Sequence, residues 1–183
     1  VKICLDAGVD SIDHGAALDD DLIEQMVRQG TWLVPTFTVL RRIAALGEYD
    51  PCPVPAYMPR KARSLLDKQA VSFRKALEAG VKIALGTDLG SFGCGENAVE
   101  LAYMVEAGMT SMEALVAATR MAAACIGLGD RTGTLRRDML ADLLVVDGDP
   151  LANIEVLQDH TRLRLIMKDG QIVKNTLHQT VEG

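Results

Sequence analysis

The chain has 183 residues, 49% of them hydrophobic, and 19 Lys and Arg against 25 Asp and Glu give a net charge of -6. That length suits one domain or a domain with an appendage, and the acidic balance argues against a nucleic-acid partner, which needs a basic face to displace counterions from phosphates. No apolar run reaches the roughly 18 residues of a membrane span, and no charged-then-apolar leader opens the chain, so neither a membrane partner nor secretion is expected.

The opening "VKICLDAG" reads as the end of a helix that would begin upstream of Val1, with Gly8 as its C′ residue. Val9–His14 follows as a short strand. Asp19 makes a good N-cap, with Asp20 and Asp21 adding negative charge where the helix dipole favours it. Leu22, Ile23, Met26 and Val27 then recur at helical spacing, Arg28 sits in the last turn and Gly30 stops the helix. "TWLVPTF" is an apolar run of strand length. Residues 47–60 carry Pro51, Pro53, Pro55 and Pro59, which predicts a loop or broken turns. From about Lys61 to Ala79 a helix is expected, with Leu66, Ala70, Phe73 and Leu77 along one stripe and Gly80 at its end. "VKIALGTD" is a third strand, and the glycine-rich "SFGCGE" leads to a helix over about 96–107. Thr110 and Glu113 make a capping box for a further helix to about Ile126.

This alternation of strands and helices with short joints means parallel strands covered by helices. After about residue 130 the texture changes. "ADLLVVD" and "RLRLIMKDGQIVKN" are short strands, the second pair joined at Asp169–Gly170, a two-residue hairpin signal. A small β unit therefore follows an α/β unit. Cys4, Cys52, Cys94 and Cys125 form no CxxC pair, so reduced, packed thiols in a cytoplasmic setting are expected.

His14 ends the first strand and Asp88 the third, the edge of a parallel sheet where ligands gather. By alternation Ile12 and His14 share one face, as do Ala84, Gly86 and Asp88, and the small residues should leave space beside the carboxylate. Glycines 15 and 90 let the backbone turn away. An imidazole nitrogen and a carboxylate oxygen suit zinc or a similar divalent ion, and an aspartate beside such an ion can take a proton from water. Two residues do not close a site: zinc wants three protein ligands and an open position, and His160 and His178 are poorly placed. Each of the two is also compatible with a hydrogen-bonded structural role. Cys94 is a weaker candidate nucleophile without a nearby His, and glycines 90, 93 and 95 lack the Lys-Ser/Thr of a phosphate cradle.

The order "GVDSIDHG", "GTWLVPTF", "GVKIALGTD", "ENAVELAYMVEAGMTSMEALVAAT" and "GLGDRTGTL…ADLLVVDGDPL" resembles the amidohydrolase superfamily, in particular its imidazolonepropionase-like and Xaa-Pro dipeptidase-like branch, over about residues 2–174. The resemblance implies an α/β fold: residues 1–128 as the C-terminal half of a (β/α)8 barrel, with 9–14, 31–37 and 81–88 as strands six to eight, and residues 129–183 as the C-terminal part of a β-sandwich. It implies that His14 binds metal or polarises the substrate and that Asp88 binds metal and acts as general base. The activity implied is hydrolysis of a C–N bond by a metal-activated water, with one or two divalent ions, zinc foremost, and a small-molecule or dipeptide-like substrate contacted by the loops after Thr36 and Asp88. The family's His-x-His on strand one, bridging Lys on strand four and His on strand five have no counterpart in these 183 residues. "ATRMAAACIGLG" also stands where relatives carry Asn-Pro, and Asp138 where a glycine is usual. Two rival readings stay open. One is a non-catalytic fragment that needs another segment to complete the barrel, or self-associates through its open edges. The other is an unrelated α/β binding domain, in which His14 and Asp88 would point apart.

Overall fold

Residues 1–46, 54–90 and 95–177 of a computed structural model are described. Helix α1 (Lys2–Asp6) leads into strand β1 (Ser11–Asp13), helix α2 (Asp20–Gln29) and strand β2 (Trp32–Val34). Helices α3 (Phe37–Ala45), α4 (Tyr57–Arg63) and α5 (Leu66–Glu78) precede strand β3 (Lys82–Ile83). Helix α6 (Val99–Glu106) and helix α7 (Ser111–Val116) follow; α7 continues through a π-type turn (Ala117–Met121) into α8 (Ala122–Cys125). The three strands lie side by side in the order β1–β2–β3, all parallel, with Ile12 opposite Leu33 and Leu33 opposite Ile83. Alternation of strand and covering helix produces this, because a parallel neighbour can be reached only by a crossover.

Local signals place the helix ends. Asp19 accepts a hydrogen bond from Leu22 N–H at 2.9 Å, Gly30 ends α2 in the left-handed conformation, and the Thr110–Glu113 capping box is complete. Other expectations are corrected. The strands are shorter than 9–14, 31–37 and 81–88, and Phe37 opens a helix instead of ending a strand. Pro59 lies inside α4, within the first turn, where a missing N–H is no loss. The expected 61–79 helix breaks at Ser64–Leu65, and its buried face carries Gln69, Ser72, Phe73 and Ala76; of the expected stripe Phe73 is buried, while Leu66, Ala70 and Leu77 are half-buried. Pro51, Pro53, Cys52, Cys94 and His178 lie outside the described residues.

The core sits between the sheet and its helices. Leu5, Met26, Leu33, Phe37, Phe73 and Met104 are almost fully buried, and Phe37 meets Phe73 edge-on at 5.1 Å. Burying each such aromatic is worth about 1.5–3 kcal/mol, which is why α3 and α5 are held against the C-terminal ends of the strands.

The second sheet is antiparallel, β4 (Leu143–Val146), β5 (Leu163–Lys168) and β6 (Gln171–Asn175), in that order. Asp169 and Gly170 turn the β5–β6 hairpin with φ of 50° and 74°, the positive pair that matches strand twist. Asp142 fixes this turn by accepting from Asp169 N–H at 2.7 Å and Thr132 Oγ1 at 2.8 Å, with Lys168 Nζ at 3.1 Å. Those donors, the Asp169 amide first, hold its carboxyl down to about 2. A short 3-10 turn at Ile154–Gln158 sends Ile154 and Leu157 into the core of the first unit.

Candidate active site

Three residues just past the strand ends share an unusual backbone. His14 after β1, Thr36 after β2 and Asp88 beyond β3 have φ of 70°, 51° and 48°. Left-handed conformations cost a non-glycine residue about 1–3 kcal/mol and collect where a fold must aim a side chain. His14 N–H donates to Val34 C=O at 2.8 Å, so the ladder continues one residue beyond β1 before the chain turns. Gly15 takes that turn at φ 53°, where a Cβ would sit 2.5 Å from Leu33 Cδ1.

The two candidate residues converge. His14 Nε2 lies 4.0 Å from Asp88 Oδ2, and both side chains are more than half exposed, at 55% and 60%. They therefore do not point apart, as an unrelated binding domain required. The other ring nitrogen, Nδ1, lies 2.7 Å from Thr36 Oγ1. Two donors at about 2.1 Å on one tetrahedral cation stand about 3.4 Å apart. The observed 4.0 Å is near that spacing, and an imidazole and a carboxylate are chemically suited to two ligand positions of one divalent ion. Among the described residues, no group of three or more His, Cys, Asp and Glu is arranged to hold a metal. His160 is not brought to the pair in the same way: its Nε2 lies 3.2 Å from the Gly95 carbonyl oxygen. Gly86 needs a different reading from the one its size suggested. A Cβ there would meet Val34 Cγ1 at 2.5 Å, so the missing side chain lets β2 pack close and leaves no ligand space.

Behind the pair stand groups that the sequence reading missed. Glu100 of α6 is wholly buried and caps α3 from outside: Phe37 N–H donates to its Oε1 and Thr38 N–H to its Oε2, both at 2.7 Å. Thr38 Oγ1 donates to the same Oε2. Burial pushes the Glu100 carboxyl above its ordinary range, against the pull of these donors. Gln69 of α5, 1% exposed, donates through Nε2 to the carbonyls of Pro35 at 2.7 Å and His14 at 3.2 Å, tying the ends of β1 and β2 together. Its Oε1 is buried without a partner among the described residues. On the other side, Asn97 Nδ2 donates to Thr87 Oγ1 at 3.3 Å, beside Asp88. A signal existed for two of these: Glu100 falls in register with buried Leu101 and Met104, and Gln69 with Ser72, Phe73 and Ala76. A polar residue on an apolar stripe marks a buried hydrogen-bonding role.

A cavity of about 440 Å³, lined by Asp10, Gln29, Gly30, Thr31, Trp32 and Lys82 among others, lies at the opposite, N-terminal edge of the strands. There the Lys82 ammonium rests over the Trp32 ring, 5.3 Å from its centre. No histidine among the described residues lines it.

Known proteins resemble this chain in sequence and fold. Ochratoxinase from Aspergillus niger is 32% identical over 177 residues, covering 95% of this chain and 36% of its own length. Its crystal structure superposes with a TM-score of 0.79 at 31% identity, over 95% of this chain and 39% of that one. A crystal structure of a Xaa-Pro dipeptidase with methionine bound in its active site gives a TM-score of 0.86 at 37% identity, over 95% and 42%. Imidazolonepropionase from Porphyromonas gingivalis is 32% identical over 137 residues, 72% of this chain and 31% of its own. The chain thus spans less than half the length of each relative. The profile of the Amidohydrolase family matches residues 1–173, through both sheets and both candidate residues, and the chain belongs to that family.

Proposed function

We propose that this chain carries part of the active site of a metal-dependent hydrolase acting on a C–N bond in an amide, peptide or cyclic amide. One observation carries the reading: His14 Nε2 and Asp88 Oδ2 converge to 4.0 Å at the C-terminal edge of a parallel sheet, where α/β folds bind ligands. Similarity to a dipeptidase and an imidazolonepropionase supports the choice of substrate class. In this reading residues 1–128 are the C-terminal half of a (β/α)8 barrel, β1 to β3 are its strands six to eight, and residues 129–183 belong to a composite β-sandwich. His14 and Asp88 would hold a divalent cation, zinc first, which when bound supplies Lewis acidity and makes water easier to deprotonate. Asp88 takes the proton from the attacking water and returns it to the leaving nitrogen. His14 holds the cation or polarises the scissile carbonyl, and Thr36 and Gln69 fix its ring and backbone.

The lateral edges of the parallel sheet favour a second reading. Among the described residues β1 and β3 each pair only with β2, and the site has two donors where zinc takes three or more. In that reading the chain is a non-catalytic module until another segment supplies the remaining ligands. Elemental mass spectrometry on protein purified without chelator separates the two. About one or two zinc-like ions per chain, lost in His14→Ala and Asp88→Ala, supports the assembled site. No metal in the wild-type chain supports the module.

A further inference from the structure

We propose that Glu100 is a positioning residue for His14, acting through Thr36; this rests on reading His14 as a ligand. The chain of contacts is continuous. The buried carboxylate of Glu100 takes the first two amides of α3, Phe37 and Thr38, each at 2.7 Å, and the Thr38 hydroxyl. No side chain of the β2–α3 turn caps that helix. A helix N-terminus leaves its first amides without intrahelical partners, so among the described residues the Glu100 carboxylate sets where α3 begins. Thr36, the residue immediately before Phe37, is held at φ 51° and is 3% exposed. That conformation brings its hydroxyl to 2.7 Å from His14 Nδ1. From the other side Gln69 ties the Pro35 and His14 carbonyls, so ring and backbone of His14 are referenced to the same turn.

The consequence is chemical as well as steric. In the tautomer we assign to His14, Nδ1–H donates to Thr36 Oγ1 across the 2.7 Å contact, and the lone pair of the imidazole is on Nε2, the nitrogen that faces Asp88. Partners of the second ring nitrogen fix the tautomer of ligating histidines. If the Glu100 clamp is loosened, the β2–α3 turn relaxes, the Thr36 hydroxyl leaves Nδ1 and the ring is free to present Nε2–H instead.

Nitrogen-15 spectra of the imidazoles at about pH 8, above the ordinary histidine range, read this directly in the 183-residue chain without metal. His14 is assigned by its loss in His14→Ala. The wild type should show His14 as the Nδ1–H tautomer. Thr36→Val, of the same shape without the hydroxyl, and Glu100→Gln should both move it toward Nε2–H, while Thr36→Ser should restore the wild-type signal and His160 should not move. Should Glu100→Gln fail to fold, Thr38→Val, which removes only the hydroxyl donor to Glu100, is read in its place with the same expected direction. A wild-type His14 in the Nε2–H form overturns the proposal, as does a tautomer that responds to Thr36→Val but not to the Glu100 or Thr38 variant. Zinc titration then separates this inference from the reading beneath it. Binding about 10–100-fold weaker in Glu100→Gln is expected where the wild type binds zinc. A tautomer shift in a chain that binds no zinc leaves Glu100 in its positioning role and removes the metal reading instead.

Discussion

Among the described residues, five that are not glycine have positive φ: His14, Thr36, Asp88, Asp138 and Asp169. Three of them converge at the candidate site and Asp169 turns a hairpin, but Asp138 does neither. Its side chain is 89% exposed, its φ is 68°, and its contact with Arg137 is a loose 3.8 Å pair. The left-handed conformation costs an L-residue about 1–2 kcal/mol, partly offset on going to glycine by the freer unfolded chain. Asp138→Gly should therefore stabilise by about 0.5–1 kcal/mol, raising the melting temperature by roughly 1–4 °C in a chain of this size. Gly15 is the opposite case. Its Cβ would sit 2.5 Å from Leu33 Cδ1 at φ 53°, so Gly15→Ala combines backbone strain with overpacking and should cost about 2–4 kcal/mol. Chemical denaturation checks both; a neutral Gly15→Ala would mean that the turn after His14 is not constrained as described. At His14 and Asp88 a side chain that only glycine geometry suits is kept for what it aims at.

At the scale of elements, the buried carboxylate between α6 and α3 makes stability depend on pH. Burial raises the Glu100 carboxyl above its ordinary 4.5 in the folded chain, so on raising the pH the unfolded chain loses this proton first. Between the two values the folded chain holds one proton more, and stability falls as pH rises through that window. Urea denaturation from about pH 4 upward should show this slope in the wild type and lose it in Glu100→Gln; superimposable profiles would show that Glu100 titrates alike in both states. The same contact explains what could be read from the chain. Helices with their own caps, Asp19 for α2 and Thr110 with Glu113 for α7, were legible, as was the Asp169–Gly170 hairpin. Helix α3 was not, because its cap is 63 residues away on another helix. Strand lengths were overread because apolar alternation runs on past the last ladder pair, as at Ala84–Asp88. Of the site, the approach of His14 and Asp88 follows from strand-end positions in a parallel sheet. Their support by Thr36, Gln69 and Glu100 depends on which helix face turns inward, and in α5 the expected stripe meets that face at Phe73 but not at Gln69, Ser72 or Ala76.

Taken whole, the described residues leave several large apolar side chains exposed along the antiparallel sheet. Among the described residues β6 pairs only with β5 in the antiparallel sheet, and Ile172 and Val173 on that edge are 56% and 68% exposed, with Leu144 at 53% on β4. Edge strands of soluble proteins are ordinarily guarded by charge, proline or a covering element. In β6 only Lys174 offers a charge, and its ammonium is already directed to the His160 carbonyl at 2.6 Å. A bare edge of branched apolar residues is a template for another strand, and another copy of the same chain is always present in solution. Sedimentation velocity should therefore show the chain moving to larger species as its concentration rises. The double variant Leu144→Lys and Val173→Lys should remain monomeric over the same range with its denaturation midpoint within about 0.5 kcal/mol of wild type, since exposed substitutions away from structural features rarely cost more. If the variant associates as strongly as the wild type, the contact lies elsewhere, and the open flanks of β1 and β3 become the surfaces that a second segment, or a second copy, has to meet.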